Sequence, residues 1–137
     1  MEAEGERLTA YKDVAGILTI GVGHTGSDVK PGMAISRAES RRLLAQDVQS
    51  AAQAVASGID VPLGGPQFDA LVALVFNIGA GNFRTSTVRR LINELMFGAV
   101  PAAWRLWNKV TVDGRKIVSA GLVNRREAEL KLWNSQA

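Results

Sequence analysis

One long helical pattern constrains this chain more than any other feature. Ser36 and Glu39 form an S-x-x-E capping box, and apolar residues follow at helical spacing as far as Val55. Gly58 suits a left-handed end to this helix. A helix over residues 36–58 would be roughly 31 Å long at about 1.5 Å per residue. In a chain of 137 residues, such a helix predicts two lobes joined by one connection.

The residues before this helix predict strands and turns. A β-branched run over residues 17–20 leads into a glycine-rich segment, residues 21–26. Pro31-Gly32 predicts a further turn beside an edge strand. We therefore expect residues 1–35 to form a small N-terminal β-hairpin lobe.

The residues after the helix predict an all-α C-terminal lobe, residues 59–137. Pro66 begins a segment that is apolar nearly all round, so we expect that helix to be the buried centre of the lobe. The other expected elements are helices from Thr85 or Ser86 to Gly98, from Pro101 and over residues 122–133, and a small hairpin at Asp113-Gly114. The predicted fold class is α+β, with residues 1–137 forming a single domain.

The composition excludes several kinds of site. The chain has no Cys and one His, which rules out a disulfide framework, a thiolate zinc site and a multi-histidine metal site. No apolar run reaches the roughly 18–20 residues that span a bilayer. The acidic N-terminal segment, residues 1–7, lacks the basic start and apolar core of a signal peptide. We therefore expect no export signal in this chain.

Charge is unevenly distributed along the sequence. Residues 1–65 carry six Lys or Arg against eight Asp or Glu, whereas residues 66–137 carry ten against five. A basic C-terminal half favours a polyanionic partner such as nucleic acid, an anionic membrane or a bacterial wall. The alternative is a basic face that is simply solvated.

Two carboxylates and a hydroxyl near the N-terminus suggest hydrolytic chemistry. Cleavage of a glycosidic bond needs a protonated carboxyl for the leaving oxygen, and an ionised carboxylate that activates water or attacks the anomeric carbon. Glu4 and Asp13 are competent for these roles, and Thr19 follows them. Surface carboxylates are common, so the pair alone leaves a structural role open.

The pattern around these residues resembles a known family. Residues 4–25 read E-G-x-x-L-x-A-Y-x-D-x-x-G-x-x-T-I-G-x-G-H-T, which resembles the active-site segment of the phage-type lysozymes, glycoside hydrolase family 24. Residues 67–79, 79–87 and 121–129 resemble the family's buried helix, the loop after it and its late G-L-x-x-R-R-x-A-E segment. The likeness covers nearly the whole chain and is nearest to endolysins of phages that infect Gram-negative bacteria.

This resemblance implies a lysozyme-like fold and a muramidase activity. It makes Glu4 the general acid, Asp13 the second carboxylate and Thr19 the hydroxyl that holds the attacking water, which suits inversion. The implied substrate is bacterial peptidoglycan, cut at the β-1,4 bond between N-acetylmuramic acid and N-acetylglucosamine. No metal, cofactor or nucleic acid is implied. We expect a monomeric endolysin that stays in the host cytoplasm before release and acts on the wall in the periplasm.

Three further residues each have two interpretations. His24 is either a second base or, as we favour, a residue that fixes the turn by a hydrogen bond to a carboxylate. Asn77 lies where the family contacts substrate, but it also suits a helix end that satisfies local carbonyls. Arg125 matches a family arginine that pairs with the general acid, and is otherwise a surface arginine.

The three tryptophans, Trp104, Trp107 and Trp133, have the same ambiguity. Indole rings stack on sugars, but at helical spacing beside leucines these rings are expected in the core.

The N-terminus departs from the family pattern. The family places its general acid at the end of a complete helix, whereas only three residues precede Glu4, less than one turn. The chain is thus expected to be a truncated form, or to hold Glu4 in another way. We expect it to be less active and less stable than a form extended by about ten helical residues.

Three rival functions remain open at this point. A lytic transglycosylase cuts the same bond without water, and Thr19 argues against it because a water-holding hydroxyl serves hydrolysis. A non-catalytic peptidoglycan-binding module is the alternative if the missing helix disables Glu4. A nucleic-acid binder ranks last, because no recognised binding fold is present. It would use Arg84, Arg89, Arg90, Arg125 and Arg126.

Overall fold

A computed structural model describes residues 7–12, 18–21, 24–25 and 28–135. The chain divides into two compact units. The first comprises Met1–Asp47 with Val110–Ile117, and the second comprises Val48–Lys109 with Val118–Ala137.

The first unit contains a three-stranded antiparallel sheet. Its strands are β1 (Arg7–Lys12), β2 (Leu18–Gly21) and β3 (His24–Thr25), in the order β1-β2-β3. Ile20 of β2 is fully buried and forms a small core with Val29 and Leu43. The lobe is therefore a sheet with one strand more than the predicted hairpin. Sequence reasoning missed β1 and the two-residue β3, because the β-branched run predicted only the strand observed as β2.

The turn predicted at Pro31-Gly32 is confirmed. The carbonyl of Lys30 accepts a hydrogen bond from the N–H of Met33 at 3.1 Å, and Gly32 has a positive φ of 76°. This is the backbone that proline followed by glycine favours. The predicted edge strand is reduced to an isolated bridge between Thr9 and Ala34.

The long helix is confirmed as α1 (Arg37–Gly58). The N-cap bond of the predicted box is present, since the Ser36 hydroxyl accepts the N–H of Glu39 at 3.1 Å. The role predicted for Gly58 is wrong, because this residue is not in the left-handed region. A Cβ at Gly58 would lie 2.9 Å from a ring carbon of Phe83, so close packing requires the glycine.

The second unit is helical. Its helices are α2 (Gly65–Ile78), α3 (Ala80–Arg84), α4 (Thr87–Asn93), α5 (Val100–Arg105) and α6 (Ala120–Trp133), with a 3-10 turn at Phe97–Ala99. The buried face of α2 carries Ala70, Leu71, Leu74 and Val75, so the prediction that this helix lies in the core is confirmed. No described helix is long and apolar enough to span a membrane.

Two local predictions in this unit need correction. The expected loop after α2 contains the short helix α3. The next helix ends at Asn93 rather than at Gly98, because Leu95 takes the left-handed position with φ 62°. The N–H of Met96 then donates to the carbonyl of Leu91 at 2.9 Å, which closes the helix in a Schellman motif.

The predicted hairpin is confirmed as β4 (Lys109–Val112) and β5 (Arg115–Val118). Its turn residues Asp113 and Gly114 both have positive φ, 50° and 77°. Two positive φ values define the type I′ turn that suits a two-residue hairpin.

Candidate active site

The predicted site residues fall into three groups. Glu4 and Asp13 lie outside the described residues, so their roles stay predictions. Thr19 and His24 belong to the first unit, whereas Asn77 and Arg125 belong to the second.

Thr19 lies on β2, the central strand of the sheet. It is 3% exposed and pairs with Tyr11 of β1 on one side and with Thr25 of β3 on the other. A threonine hydroxyl both donates and accepts hydrogen bonds. The sheet therefore holds a buried hydroxyl at a backbone position fixed from both sides.

His24 is held between two carboxylates. Its Nδ1 lies 2.8 Å from Oδ2 of Asp47, and its Nε2 lies 2.9 Å from Oδ2 of Asp28. Burial lowers the pKa of His24, but the hydrogen bonds to Asp47 and Asp28 outweigh it, and the net pKa is raised. We call these three residues the histidine clamp. Because both ring nitrogens face carboxylates, neither is available as a base, and the favoured turn-fixing hydrogen bond is present.

Asn77 lies near the C-terminal end of α2. Its Oδ1 accepts a hydrogen bond from Nη2 of Arg126 at 2.8 Å. The local helix-end role belongs to another residue, since Nδ2 of Asn82 donates to the carbonyl of Ile78 at 2.8 Å. Asn77 is therefore joined to α6 rather than to its own helix end.

Arg126 is the residue that sequence reasoning missed. It is 1% exposed and pairs with Glu129, with Nε 2.7 Å from Oε1 and Nη2 2.9 Å from Oε2. Its Nη1 also donates to the carbonyl of Trp107 at 3.0 Å, and the indole N–H of Trp104 donates to Glu129 at 3.0 Å. We call these four residues, together with Asn77, the arginine network.

The charge of Glu129 is subject to opposing effects. Burial is the largest effect and raises the pKa of this carboxyl overall, although Arg126 and the indole of Trp104 act in the opposite direction. The carboxylate accepts hydrogen bonds from Nη2 of Arg126 and from the indole N–H of Trp104, as buried charges generally require. The arginine network therefore links α2, α5 and α6 around a buried ion pair.

Helical spacing in the sequence predicts that Arg126 is buried. The buried residues of α6 are Arg126, Glu129, Leu130 and Trp133, which recur at the i, i+3, i+4, i+7 spacing of one helix face. Arg125 is adjacent in sequence and only half-buried. Its expected partner, Glu4, lies outside the described residues, so that pairing stays a prediction.

The tryptophan expectation is confirmed for two of the three rings. Trp104 is fully buried and Trp133 is 4% exposed, with ring centroids 5.3 Å apart. Trp107 is half-buried. The first two indoles therefore pack in the core instead of presenting a face to sugars.

Two of the arginines considered for binding nucleic acid make contacts within the protein instead. Arg126 is buried, and Arg89 donates to the carbonyls of Gly58 and Arg84 at 2.8 and 3.2 Å. Within the described ranges, no group of three or more His, Cys, Asp or Glu side chains is placed to hold a metal ion.

Comparison with known proteins identifies the family. The family model described as phage lysozyme matches residues 1–129. The chain belongs to the phage lysozyme family. It is 46% identical over 114 residues to an endolysin of Salmonella phage P22, covering 80% of this chain and 78% of the relative. It is 41% identical over 135 residues to a SAR-endolysin of Bacteriophage PS119, covering 97% and 78%.

Solved structures agree with this assignment. The endolysin from Escherichia coli O157:H7 phage FAHEc1 superposes with a TM-score of 0.81 at 40% identity, covering 97% of this chain and 86% of the other. The lysozyme-like α+β fold is therefore confirmed. This phage lysozyme is an enzyme of the muramidase type that hydrolyses peptidoglycan and acts on the cell wall.

Proposed function

We propose that the enzyme cuts the β-1,4 bond between N-acetylmuramic acid and N-acetylglucosamine with inversion. In this proposal Glu4 is the general acid, Asp13 is the second carboxylate and Thr19 holds the attacking water beside it. Inverting glycosidases keep the two carboxyls about 6.5–9.5 Å apart so that a water molecule fits between carboxylate and sugar.

The observation that carries this proposal is the buried hydroxyl of Thr19 in the centre of the sheet. Thr19 is flanked on β2 by Leu18, which pairs with Lys12, and Asp13 is the next residue after Lys12 in the sequence. A short neutral hydroxyl cannot serve as the carboxylate nucleophile of a retaining enzyme, but it can hydrogen-bond water. This supports hydrolysis over the transglycosylase alternative.

Replacing Glu4 tests the assignment of the acid. Glu4→Gln keeps the shape of the side chain but cannot deliver a proton, so we expect the lytic rate on permeabilised cells to fall about 10²–10⁴-fold. The matched control is Glu6→Gln, which makes the same chemical change two residues away and should keep the wild-type rate. A Glu4→Gln enzyme with more than about a tenth of the wild-type rate would exclude this acid.

The remaining expectations are part of the same proposal. We infer that lobes 1–35 and 59–137, joined by helix 36–58, unfold as one domain, and that the protein is a monomer without metal or nucleic acid. We also infer action in the periplasm after retention in the host cytoplasm. A single thermal transition, monomer mass in solution and full activity in a chelating buffer are the expected results. Two transitions, or loss of activity with chelator, would contradict them.

A further inference from the structure

A polar cavity lies beside α4 in the second unit. Its volume is about 440 Å³, and every residue that lines it is polar or charged. The charged ones are three arginines, Arg84, Arg89 and Arg90, and two acids, Asp60 and Glu94. Glu94 pairs with Arg90 at 3.1 Å, which leaves two guanidinium groups against one carboxylate. The cavity therefore has a net positive charge and favours an anionic ligand.

Arg89 is held in a fixed orientation at the wall of this cavity. Its Nε donates to the carbonyl of Gly58 at 2.8 Å, and its Nη1 donates to the carbonyl of Arg84 at 3.2 Å. Among the described residues, no acceptor meets Nη2 of Arg89 or the guanidinium group of the exposed Arg84. A guanidinium group carries five N–H donors in a fork that matches the oxygens of a phosphate. The cavity thus offers oriented donors that suit a phosphate group.

Two apolar side chains are exposed directly after the cavity. Leu95 follows the lining residue Glu94 and is 64% exposed, and the next residue, Met96, is 50% exposed. Leu95 has a positive φ of 62°, at a helix end where glycine or asparagine is usual. A leucine here neither relaxes the backbone nor buries its side chain, so the fold itself does not require it. An apolar side chain of this kind beside a basic cavity points to a contact outside the chain.

We propose that this part of the second unit docks on an anionic phospholipid surface. A headgroup phosphate occupies the cavity at Arg84 and Arg89, and Leu95 and Met96 enter the boundary between the headgroups and the acyl chains. We call these four residues the lipid face. Peripheral binding of this kind combines electrostatic attraction to anionic lipids with burial of apolar side chains, and the lipid face supplies both. The contact uses none of the proposed catalytic residues.

Vesicle binding by the whole chain tests the cationic part of the lipid face. Flotation measures the fraction bound to phosphatidylcholine vesicles with and without phosphatidylglycerol. We expect binding only when phosphatidylglycerol is present, with an affinity that falls as the ionic strength rises. Arg84→Gln should weaken this binding about fivefold, the contribution expected of one basic side chain near such a surface.

Arg42→Gln is the matched control for this charge. It removes a cation from another exposed position, in α1, and should change the vesicle affinity less than about twofold. Equal weakening by Arg84→Gln and Arg42→Gln would show that only the net charge matters, and would overturn the proposed role of the cavity.

Leu95→Gly separates the apolar contact from packing. Glycine adopts the positive φ without strain, so thermal stability should stay equal or rise. The loss of the exposed side chain should weaken vesicle binding about fivefold. The matched control is Leu106→Gly, which removes a leucine that is 68% exposed and does not line the cavity, and it should keep the vesicle affinity. Equal weakening by both variants, or unchanged binding by Leu95→Gly, would overturn the inference.

Other occupants of the lipid face would give different results. A concentration-dependent dimer that Leu95→Gly dissociates would show that a second copy of the chain covers the apolar residues. Binding of inorganic phosphate or double-stranded DNA without binding of vesicles, weakened by Arg84→Gln alone, would show an anion site that does not serve lipid. Either result would overturn the inference. Vesicle binding that Arg84→Gln and Leu95→Gly both weaken would support it, whatever the outcome for Glu4.

Discussion

The histidine clamp of the first unit and the arginine network of the second unit solve the same problem in different ways. Each joins separate segments of the chain through a buried basic side chain. In the clamp, His24 is 7% exposed but its partner Asp28 has a side chain that is 59% exposed. In the network, Arg126 and Glu129 are 1% and 6% exposed. The first arrangement is partly open to solvent and contains a titratable histidine, whereas the second is closed to solvent.

This difference in exposure determines how the stabilisation by each cluster depends on pH. The histidine clamp gives its full stabilisation only where the imidazole is protonated and both carboxylates are ionised, because a neutral imidazole has one N–H donor instead of two. The buried pair contains no histidine, and its arginine keeps its proton throughout the physiological range. Removing one partner of this pair leaves the other charge buried without compensation, which is more costly than losing a surface ion pair.

The largest loss of stability is expected when one partner of the buried ion pair in the arginine network is removed. Glu129→Leu leaves Arg126 buried without its carboxylate, and we expect a loss of about 3–5 kcal/mol in the free energy of unfolding, with little change between pH 6 and 8. The double variant Arg126→Met, Glu129→Leu removes both charges and should recover much of that loss. Urea unfolding of both variants measures the difference. Equal destabilisation by the single and double variants would refute the idea of a sealed pair.

An intermediate effect is expected in the clamp. Asp47→Asn removes a charge-assisted hydrogen bond to His24 and should cost about 1–2 kcal/mol, less than the full value because the Asp47 side chain is 28% exposed. The raised pKa of His24 confers stability that is complete below the unfolded histidine pKa, about 6.5, and is lost as the pH rises through the folded value. The lowered pKa of Asp28 adds stability above about pH 4 that is lost on acidification.

The effect of Asp47→Asn should therefore be greatest between about pH 4 and 6.5 and should shrink towards alkaline pH. Asp28→Asn is the control, because its exposed carboxylate should contribute below about 1 kcal/mol. Thermal unfolding across pH checks both. A destabilisation by Asp47→Asn that grows with pH would have the wrong sign for this mechanism.

The smallest change in stability is expected at Ser40, whose buried polar group is uncharged. In the part of the chain that the structure describes, the hydroxyl of Ser40 is fully buried and has no hydrogen-bond partner. Ser40→Ala removes an unsatisfied group, so we expect stability to stay within about 0.5 kcal/mol or to rise by about 1 kcal/mol. A loss of more than about 1 kcal/mol in urea unfolding would show that this hydroxyl has a partner after all.

Features with a local cause were predictable from the sequence. The N-cap hydrogen bond at Ser36, the turn at Pro31-Gly32 and the hairpin turn at Asp113-Gly114 depend on residues within a few positions of one another. The structure contains all three. The active-site motif around Glu4 and Asp13 was visible for the same reason, since its residues are close in sequence.

Features with a distant cause were not predictable in the same way. His24 was expected to contact a carboxylate, but Asp47 lies 23 positions away, and only the packed fold selects it. The glycine requirement at Gly58 comes from Phe83 in another helix. The family pattern points to Arg125, whereas helical periodicity places Arg126 on the buried face of α6 with Glu129 and Trp133.

The stereochemistry of the product tests the central claim most directly. A soluble peptidoglycan fragment is incubated with the enzyme in an NMR tube, and the reducing end formed in the first minutes is observed before mutarotation. Water held by Thr19 attacks opposite the leaving group, so the account predicts a muramic acid end that appears first as the α-anomer. A first-formed β-anomer, or a 1,6-anhydro end, would contradict it.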